Sequence, residues 1–459
     1  MALVHEVKCI DSSVTIIIKA DGSIEPPTAL ISTVDNVTYI FTADIHNQSI
    51  FVQRSHITID GKDHVLQGSY VNFSYGMSLS DITNVTIENM RIDAFWYGIF
   101  VDSSSNNRIS GNHITNNFDA IFLQSSANDS ISENNVTNNN GWGVVLCDSH
   151  NETLFRNNIT NNHDGGVALG PSSNDFISEN NITDNTGDGI MLYGIFNHTT
   201  FRSSTTGNAI TNNNVENNKA DGIKLISSTN NNISGNSIIE NQLNIEVYYS
   251  SYNVIYNNNF VSSAQQVLCN TSLNTWDSGY PSGGNYWNNY NGIDVNHDGI
   301  GDTENSIDTN NADHYPLMGM FNSYNVTYFT QPMVPHACNV TVISNSTISD
   351  FTFDSFLEHP EEYRVIEFNV TGESGSKGFC RIEFPTALLN GSYTVLLNMT
   401  EIPYTLLPCS DANTSYLYFN YTHSKQRVMI IPEFLSFLIL PLFFLATLLA
   451  VITYRRKCF

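Results

Sequence analysis

The stretch GIFVDSSSNNRISGNHITNNFD, residues 98–119, is followed at once by AIFLQSSANDSISENNVTNNNGW, residues 120–142, and the two segments match nearly position by position. The same pattern continues through four further lines and is flanked by two weaker copies: 143–165, 166–188, a longer line at 189–221, 222–243, and the copies at 76–97 and 244–260. A repeat of 22 to 23 residues therefore organises this part of the chain. Repeats of that length are typical of solenoid architectures.

Each repeat holds three short apolar pieces separated by Asn, Ser, Asp or Gly. In the first piece apolar residues alternate with other residues, as at Ile99 and Val101 or at Ile121 and Leu123. This alternation is the pattern of a strand with one buried face, and the pieces are too short for helices. Short strands of this kind can bury their apolar side chains only by stacking repeat on repeat, so the sequence predicts a parallel β-solenoid.

Asparagine recurs at two fixed positions of the repeat. The first column contains Asn89, Asn112, Asn134, Asn157, Asn180, Asn213, Asn236 and Asn258. The second column contains Asn117, Asn139, Asn162, Asn185, Asn218 and Asn241. Stacked Asn side chains hydrogen-bond along such columns and satisfy polar groups at tight turns. We therefore expect two asparagine ladders along the solenoid.

The composition restricts the class of partner. The 459-residue chain has a formal net charge of −26, and charged residues make up only 14% of it. No basic stripe is available to contact phosphates, which excludes a nucleic-acid partner. Twenty N-x-S/T sequons between Asn36 and Asn420 indicate an exported glycoprotein, although a chain this rich in Asn, Ser and Thr also produces sequons by composition alone.

The C-terminus carries the one membrane signal in the sequence. Residues 434–454 read FLSFLILPLFFLATLLAVITY, with no charge, and this length is enough to cross a hydrocarbon core as a helix. Arg455, Arg456 and Lys457 follow directly. By the positive-inside rule, the sequence predicts a single-pass protein in the cell membrane, with its body extracellular and its C-terminus cytoplasmic.

The repeats resemble those of right-handed parallel β-helix proteins of the pectate-lyase type, with carbohydrate-binding and sugar-hydrolysis repeats. More narrowly, they resemble NosD-like surface proteins, whose founding members are periplasmic accessories of nitrous-oxide reductase. The resemblance covers roughly residues 50–320, including ITIDGKDHVLQG at 57–68 and GGNYWNNYNGIDVNHDGIGD at 283–302. The segment that begins with IPEF at 431–434 is similar to archaeal surface-protein anchors. The resemblance implies the fold and leaves the activity open, because one fold hosts several activities.

Beyond the repeats, strand-like runs about ten residues apart predict a small antiparallel β-sandwich, which resembles an Ig-like spacer. Cys380 and Cys409 either form a disulfide within it or remain as two buried thiols. The predicted fold is thus all-β up to a C-terminal transmembrane helix. The predicted domains are an N-terminal β cap (1–56), the β-helix (57–290), an acidic calcium-type loop and linker (291–322), the sandwich (323–427), the transmembrane helix (428–454) and a cytoplasmic tail (455–459).

The segment DVNHDGIGD at 294–302 has the oxygen spacing of a calcium loop. Side-chain oxygens stand at relative positions one, three, five and nine, a glycine at six and a backbone carbonyl at seven, which suits a hard cation. The alternative is an ordinary acidic turn. The predicted ligands are Asp294, Asn296, Asp298, the carbonyl of Ile300, and Asp302.

The outward positions of the first strand form the face that pectate-lyase-like enzymes use as a groove. We expect aromatic side chains there to stack on sugars, and the candidates are Trp96, Phe100, Phe122 and Trp142. Asp188 and Asp221 recur just before that strand, and Lys224 lies within it. Two carboxylates on adjacent coils suit a glycosidase pair and a lysine suits a lyase, although Asp before Gly is also what a turn favours.

Three functions remain open. A membrane-anchored surface protein that binds a polysaccharide or a glycoprotein glycan accounts for the solenoid, the anchor and a structural calcium ion without requiring catalysis. A hydrolase, lyase or epimerase acting on polysaccharides requires the acidic column to be a site. A copper-binding accessory protein requires clustered His, Cys or Met ligands, and the scatter of His113, His150, His163 and His198 over different turns argues against copper. The first function is the one we favour.

Overall fold

Short strands from successive repeats stack on one another and build three long sheets. The computed structural model describes residues 15–432 except 198–199, 263–264, 331–333, 356–363 and 390. Within this range the chain divides into two compact units, one of residues 15–293 and 301–317 and the other of 294–300 and 318–432. The first unit is a right-handed parallel β-helix, which confirms the predicted fold.

The first sheet has twelve strands. Their bounds are Thr15–Ile18, Ile24–Glu25, Ser49–Val52, Tyr75–Ser80, Tyr97–Asp102, Asp119–Gln124, Trp142–Cys147, Gly165–Leu169, Asp188–Tyr193, Asp221–Ile226, Leu243–Tyr248 and Val267–Asn270. Apart from Ile24–Glu25, they pair in parallel, so that Ile99, Ile121 and Val144 lie in register on successive coils. The alternating residues of each strand point into the interior, where Ile99 and Val101 are fully buried.

The second and third sheets have eleven strands each. The second sheet consists of Ile31–Thr33, Thr38–Phe41, Ile57–Asp60, Val85–Glu88, Arg108–Ser110, Ser130–Ser132, Thr153–Phe155, Phe176–Ser178, Ala209–Thr211, Asn232–Ser234 and Val254–Tyr256. The third consists of Ile45–His46, Val65–Gln67, Arg91–Asp93, His113–Thr115, Asn135–Thr137, Asn158–Thr160, Asn181–Thr183, Asn214–Glu216, Ser237–Ile239, Asn259–Val261 and Tyr286–Trp287. The strands between Thr15 and Val52 already belong to the three long sheets. The region predicted as an N-terminal cap, 1–56, is therefore part of the β-helix from Thr15 onward. Three short pairs complete the unit: Ile195–Asn197 with Thr200–Ser203, Thr205–Thr206 with Ser228–Thr229, and Asn305–Ser306 with Ala312–Asp313.

Both predicted asparagine ladders are present. In the first, Asn157 donates its backbone N–H and its Nδ2 to Oδ1 of Asn180, at 2.9 and 3.0 Å. In the second, Asn162 makes the same two bonds to Asn185, at 2.9 and 3.0 Å. Each ladder asparagine therefore provides a hydrogen-bond acceptor for the backbone N–H and the side-chain amide at the same turn of the neighbouring coil.

One member of the first column was predicted wrongly. Asn89 is exposed, with φ of 52°, and its Nδ2 donates to Asp60. The ladder position on that coil belongs to Met90, whose backbone N–H donates to Oδ1 of Asn112 at 3.1 Å. The weaker copy at 76–97 is therefore offset by one residue at this turn.

Glycine recurs at the second residue of many first-sheet strands for a steric reason. A Cβ atom at Gly189 would lie 2.6 Å from the carbonyl oxygen of Gly222 on the next coil and 2.6 Å from a methyl group of Val215. Gly98, Gly143, Gly166 and Gly222 have equally close neighbours. The coils can approach to strand-pairing distance only without a side chain at this corner.

The second unit consists mainly of two five-stranded antiparallel sheets. One contains Met320–Thr330, Val334–Ser344, Lys377–Pro385, Thr405–Leu406 and Thr414–Thr422, and the other contains Thr347–Ser355, Arg364–Thr371, Tyr393–Leu397, Thr400–Ile402 and Gln426–Pro432. Residues from both sheets share one core, including Val342 and Phe368. Cys380 and Cys409 are both free thiols, so they form no disulfide.

The last strand runs to Pro432, so residues 428–432, predicted as the start of the transmembrane helix, belong to this sheet. The predicted span at 434–454 and the tail at 455–459 lie outside the described residues. In the part of the chain that the structure describes, no helix has the length and apolar character needed to cross a membrane.

Candidate functional site

Outward side chains of the first sheet form two adjacent columns along the β-helix, which we call the outer face. One column comes from the start of each strand, at the positions Tyr75, Tyr97, Asp119, Trp142, Gly165, Asp188 and Asp221. Gly165 contributes no side chain there, and Asp119 and Asp221 are buried. The other column lies three residues further along and contains Phe100, Phe122, Val145, Ala168, Met191, Lys224 and Glu246. The face thus changes from aromatic at its early coils, through small apolar residues, to charged at its late coils.

Five rings form an aromatic cluster at the early end of the outer face: Phe51, Tyr75, Tyr97, Phe100 and Phe122. The Phe100 and Phe122 ring centroids are 5.9 Å apart, and Tyr97 lies 5.4 and 5.2 Å from them. All five residues are half-buried, so part of each stays accessible. Phe100 and Phe122 lie on adjacent strands, whose spacing is about 4.8 Å. The structure therefore brings these two predicted residues together.

The two predicted tryptophans lie beside this cluster rather than within it. Trp96 precedes its strand at the corner and stacks on Phe118, with centroids 4.1 Å apart and planes at 12°. Trp142 lies against Gly165, where a Cβ atom would come within 2.3 Å of its ring. Its backbone N–H donates to Asp119 at 2.8 Å. Trp142 thus continues the first column toward the later coils.

Four ionisable side chains form a charged cluster at the late end: Asp188, Asp221, Lys224 and Glu246. The Lys224 ammonium lies 2.8 Å from Oδ2 of Asp221 and also pairs with the Glu246 carboxylate on the next coil. The Asp221 backbone N–H donates to Oδ1 of Asp188 at 2.9 Å. The structure therefore joins all three predicted catalytic candidates and adds Glu246.

The carboxyl groups of the charged cluster differ in their protonation. Burial raises the pKa of Asp221 to about 6, even though Lys224 opposes the rise. Burial also raises the pKa of Glu246, but hydrogen bonds with Lys224 and Asp221 outweigh it, and the net pKa lies below the usual value. Hydrogen bonds to both acids raise the pKa of Lys224 despite its partial burial. The cluster thus holds one carboxyl that titrates near neutral pH beside one that stays ionised.

Residues 13–171 and 161–292 match the family described as periplasmic copper-binding protein (NosD), which together is more than half of the chain. The chain belongs to the NosD family. No curated protein matches it.

Solved structures similar to this NosD-family chain are distant. The Dettilon tailspike protein is 12% identical, over 91% of this chain and 93% of its own, with a TM-score of 0.41. The periplasmic alginate epimerase AlgG is 16% identical, over 54% and 78%, with a TM-score of 0.42. The AlgE6 A-module, a mannuronan C-5 epimerase of Azotobacter vinelandii, is 13% identical, over 53% and 82%, with a TM-score of 0.36. At such identities and scores the likeness carries no argument about activity.

The family description raises the question of copper. Imidazole, thiolate and thioether groups are the ligands that copper prefers. His113 lies in a third-sheet strand, the ring of His150 contacts Ser173, and the ring of His163 contacts Asp164, while His198 falls outside the described residues. Over the described part of the chain, no three His, Cys, Asp or Glu side chains are grouped to hold a metal ion. His113, His150 and His163 thus do not form a copper site together.

Four of the five predicted calcium ligands lie in the second unit, as the turn 294–300. Asp294 accepts hydrogen bonds from the backbone N–H groups of Asp298 and Gly299, at 3.0 and 2.9 Å, and Asp298 accepts one from Ile300 at 2.9 Å. Burial raises the pKa of Asp298, and the nearby Asp294 carboxylate adds to the rise. Asp302 lies in the first unit, where its backbone N–H donates to Ile293 at 2.8 Å. Calcium binding stays a prediction.

We expect calcium to raise the melting temperature of the protein. Extracellular modules usually bind calcium with a dissociation constant of about 10⁻³ M. At a free calcium concentration about ten times that constant, binding adds about 1.4 kcal/mol to the free energy of unfolding. Differential scanning calorimetry of the full-length protein should show the shift, and Asp298→Ala should remove it. A wild-type protein whose transitions ignore calcium would contradict the prediction.

Proposed function

We propose that this NosD-family protein binds an extended polysaccharide along the outer face of its first sheet. The observation that supports this most directly is the aromatic cluster, in which half-buried rings from successive coils lie within 5 to 6 Å of one another on one side of a rigid scaffold. Aromatic rings present large apolar area at little cost in side-chain entropy. Sugar rings offer matching apolar faces, so stacking supplies affinity.

The regular rise of the β-helix favours a linear ligand. Strands of adjacent coils are about 4.8 Å apart, and a column of side chains therefore repeats at steps comparable to the length of a sugar unit. Val145 and Ala168, which lie between the aromatic and charged clusters, are 6% and 3% exposed and offer a sugar little surface of their own. The proposed glycan therefore contacts mainly the two clusters.

The charge of the face selects among polysaccharides. Three carboxyl groups surround the single ammonium of Lys224 in the charged cluster, and the whole chain has a net charge of −26. Polyuronates carry a carboxylate on each unit and would be repelled. We therefore propose a neutral or amine-bearing glycan, on a polysaccharide or a glycoprotein.

The charged cluster also supports a second candidate, an enzyme acting on the bound glycan. Asp221 and Glu246 have pKa values shifted in opposite senses, as the acid and the base of an active site do. Lys224 bonds to both acids, so its ammonium orients them. Asp188 contacts the backbone of Asp221 and positions it.

A screen for both retention and cleavage tests the proposal. The full-length protein should be retained by at least one neutral or amine-bearing polysaccharide and not by alginate or pectate at low salt. Retention on no glycan, or only on polyuronates, would overturn the binding proposal.

Cleavage has its own prediction. Any depolymerisation by the wild type should fall by at least about 100-fold in Asp221→Asn and in Glu246→Gln, because general acid–base catalysis is worth that much, while retention stays within about twofold. Cleavage that survives both substitutions would exclude the charged cluster as the catalytic site. Asp102→Asn, at the edge of an early strand, is the matched control.

We also propose that the face is displayed outside the cell, tethered by residues 434–454. The support is the charge asymmetry around that apolar segment. Protease added to intact cells should digest the β-helix, and protection of the β-helix would reverse the proposed topology.

A further inference from the structure

A third buried column runs through the turn before the second-sheet strands, and the sequence analysis did not identify it. Its members bond in sequence from coil to coil: Asn107, Asp129, Glu152, Asp175, Asn208, Asn231, Asn253, Asn274 and Asn311. Six members are amides and three in succession are acids. The three acids are at most 2% exposed.

The amide members show what the column requires. The side chain of Asn253 accepts the Asn231 backbone N–H at 2.9 Å and the Asn231 Nδ2 at 3.0 Å through one oxygen. The same Nδ2 also donates to the Thr205 carbonyl at 3.2 Å. Each side chain thus accepts through one atom and donates through the other.

The acids reproduce only the accepting half of this pattern. Oε2 of Glu152 accepts the Asp129 backbone N–H at 2.7 Å, and Oδ1 of Asp175 accepts that of Glu152 at 2.9 Å. Oδ1 of Asp129 likewise accepts from the backbone N–H and Nδ2 of Asn107, at 2.6 and 3.0 Å. The second oxygen of each acid, Oδ2 of Asp129, Oε1 of Glu152 and Oδ2 of Asp175, is buried without any partner.

Among the side chains that the structure describes, no opposite charge compensates these acids. Within that part of the chain, the charged groups that act on Glu152 are the carboxyls of Asp129 and Asp175, and no Lys, Arg or His acts on Asp129 or Asp175. His150, two residues from Glu152, contacts Ser173 and lies 3.9 Å from the exposed Asp148. The buried neighbours in this turn, Ser126 and Ser149, do not titrate. Three stacked carboxylates would be very costly here.

We propose that Asp129, Glu152 and Asp175 are all neutral carboxylic acids in the folded protein at mildly acidic pH, each using its O–H in place of an amide N–H of a ladder asparagine. A protonated carboxyl has nearly the shape of an amide, and its one O–H donor replaces one of the two N–H donors of the amide. The proton belongs on the oxygen that has no partner. The β-helix therefore takes up protons when it folds, and acid stabilises it.

The pKa values of the three acids are shifted in the direction that the proposal requires. Burial raises the pKa of Asp129 to about 6, of Asp175 to about 7 and of Glu152 to about 9. Unfolded carboxyls titrate near about 4, so the folded state binds more protons above that pH. The stabilisation is complete below about pH 4 and is lost as pH rises through the raised values. For each group, between its pKa in the unfolded state and its raised pKa in the folded state, every unit of rising pH multiplies the unfolding constant by about ten.

Equilibrium denaturation of the full-length protein tests this inference. All four tryptophans lie in the first unit, so tryptophan fluorescence reports on the β-helix alone. The wild type should become easier to unfold from about pH 5 to about pH 9, with the unfolding constant rising at least 100-fold, which corresponds to one proton released over about two pH units. The variant D129N/E152Q/D175N restores an amide ladder and should lose most of that rise. Glu133→Gln, an exposed acid on the same coil, is the control.

A second measurement does not depend on stability. Infrared difference spectra of wild type minus Glu152→Gln at neutral pH should show the C=O band of one protonated carboxyl, shifted in D₂O. Absence of that band, a wild type that grows more stable toward alkaline pH, or a rise that persists unchanged in the triple variant would each overturn the proposal. Stabilisation by added divalent cations that Glu152→Gln removes would also overturn it, because it would place a cation between the acids.

Discussion

An Asn180→Ala substitution is expected to destabilise the β-helix by about 3 kcal/mol or more. The Asn180 side chain accepts two hydrogen bonds from Asn157 and donates to the Leu154 carbonyl, the Ser178 carbonyl and Oδ1 of Asn213, all within 3.0 Å. It is 1% exposed, so water cannot replace these bonds. Each buried polar group left without a partner costs about 1–3 kcal/mol. Denaturation followed by tryptophan fluorescence measures the loss.

Asn181→Ala is the matched control, since the two asparagines are adjacent and differ in direction. Asn181 faces outward and is half-buried. Its Nδ2 donates to Oδ1 of Asn158 at 2.8 Å, and its Oδ1 accepts from Nδ2 of Asn214 at 2.9 Å. Water can replace both bonds, so we expect a loss of about 1 kcal/mol or less. Because Asn181 belongs to a sequon, both variants should be made in a host without N-glycosylation. Equal losses would mean that the inner ladder has no special role.

The second large effect is expected on glycan binding. A Phe100→Ala/Phe122→Ala variant removes two adjacent rings whose centroids are 5.9 Å apart. Stacking on an aromatic ring is worth about 1–3 kcal/mol by alanine substitution, on the scale measured for bases. The affinity for the retained glycan should therefore fall roughly five- to 150-fold per ring that contacts a sugar. Isothermal titration calorimetry measures this directly.

Phe176→Ala provides a control of the same residue type. Phe176 lies in the second sheet and is 44% exposed, so it offers a sugar as much apolar area as the cluster residues do, on another side of the β-helix. Its substitution should leave the affinity within about twofold. An equal loss in both variants would show that the aromatic cluster is not the binding surface. Unchanged tryptophan fluorescence would show that both variants remain folded.

The sequence predicted the coil because one physical rule, the burial of alternate apolar side chains, applies to every repeat. It also predicted two ladders, because asparagine recurs at the same two positions of successive repeats. The third column escaped notice because Asp129, Glu152 and Asp175 interrupt the asparagines. Asn89 was misplaced because Met90 takes the ladder position on that weakly matching coil. A ladder can be recognised in the sequence only where the same residue type occupies its position in every coil.

The candidate site was predicted less completely for a related reason. Asp221 and Lys224 lie on one strand, so their spacing placed them together, whereas the pairing with Glu246 depends on the register between coils. Tyr75 was missed because its coil precedes the clear repeats, although its ring lies 5.0 Å from that of Phe100. Trp96 turned toward Phe118 because it occupies the corner before the strand. Side-chain direction at a corner does not follow strand alternation.

Photo-crosslinking tests the central claim most directly. An oligosaccharide of the retained glycan, carrying a diazirine, is bound to the full-length protein and irradiated, and the labelled peptides are mapped by mass spectrometry. Labels on the strands Tyr97–Asp102 and Asp119–Gln124, suppressed by excess unlabelled glycan, are the result that our account predicts. Labels confined to the second or third sheet of the β-helix, or to the second unit, would contradict it.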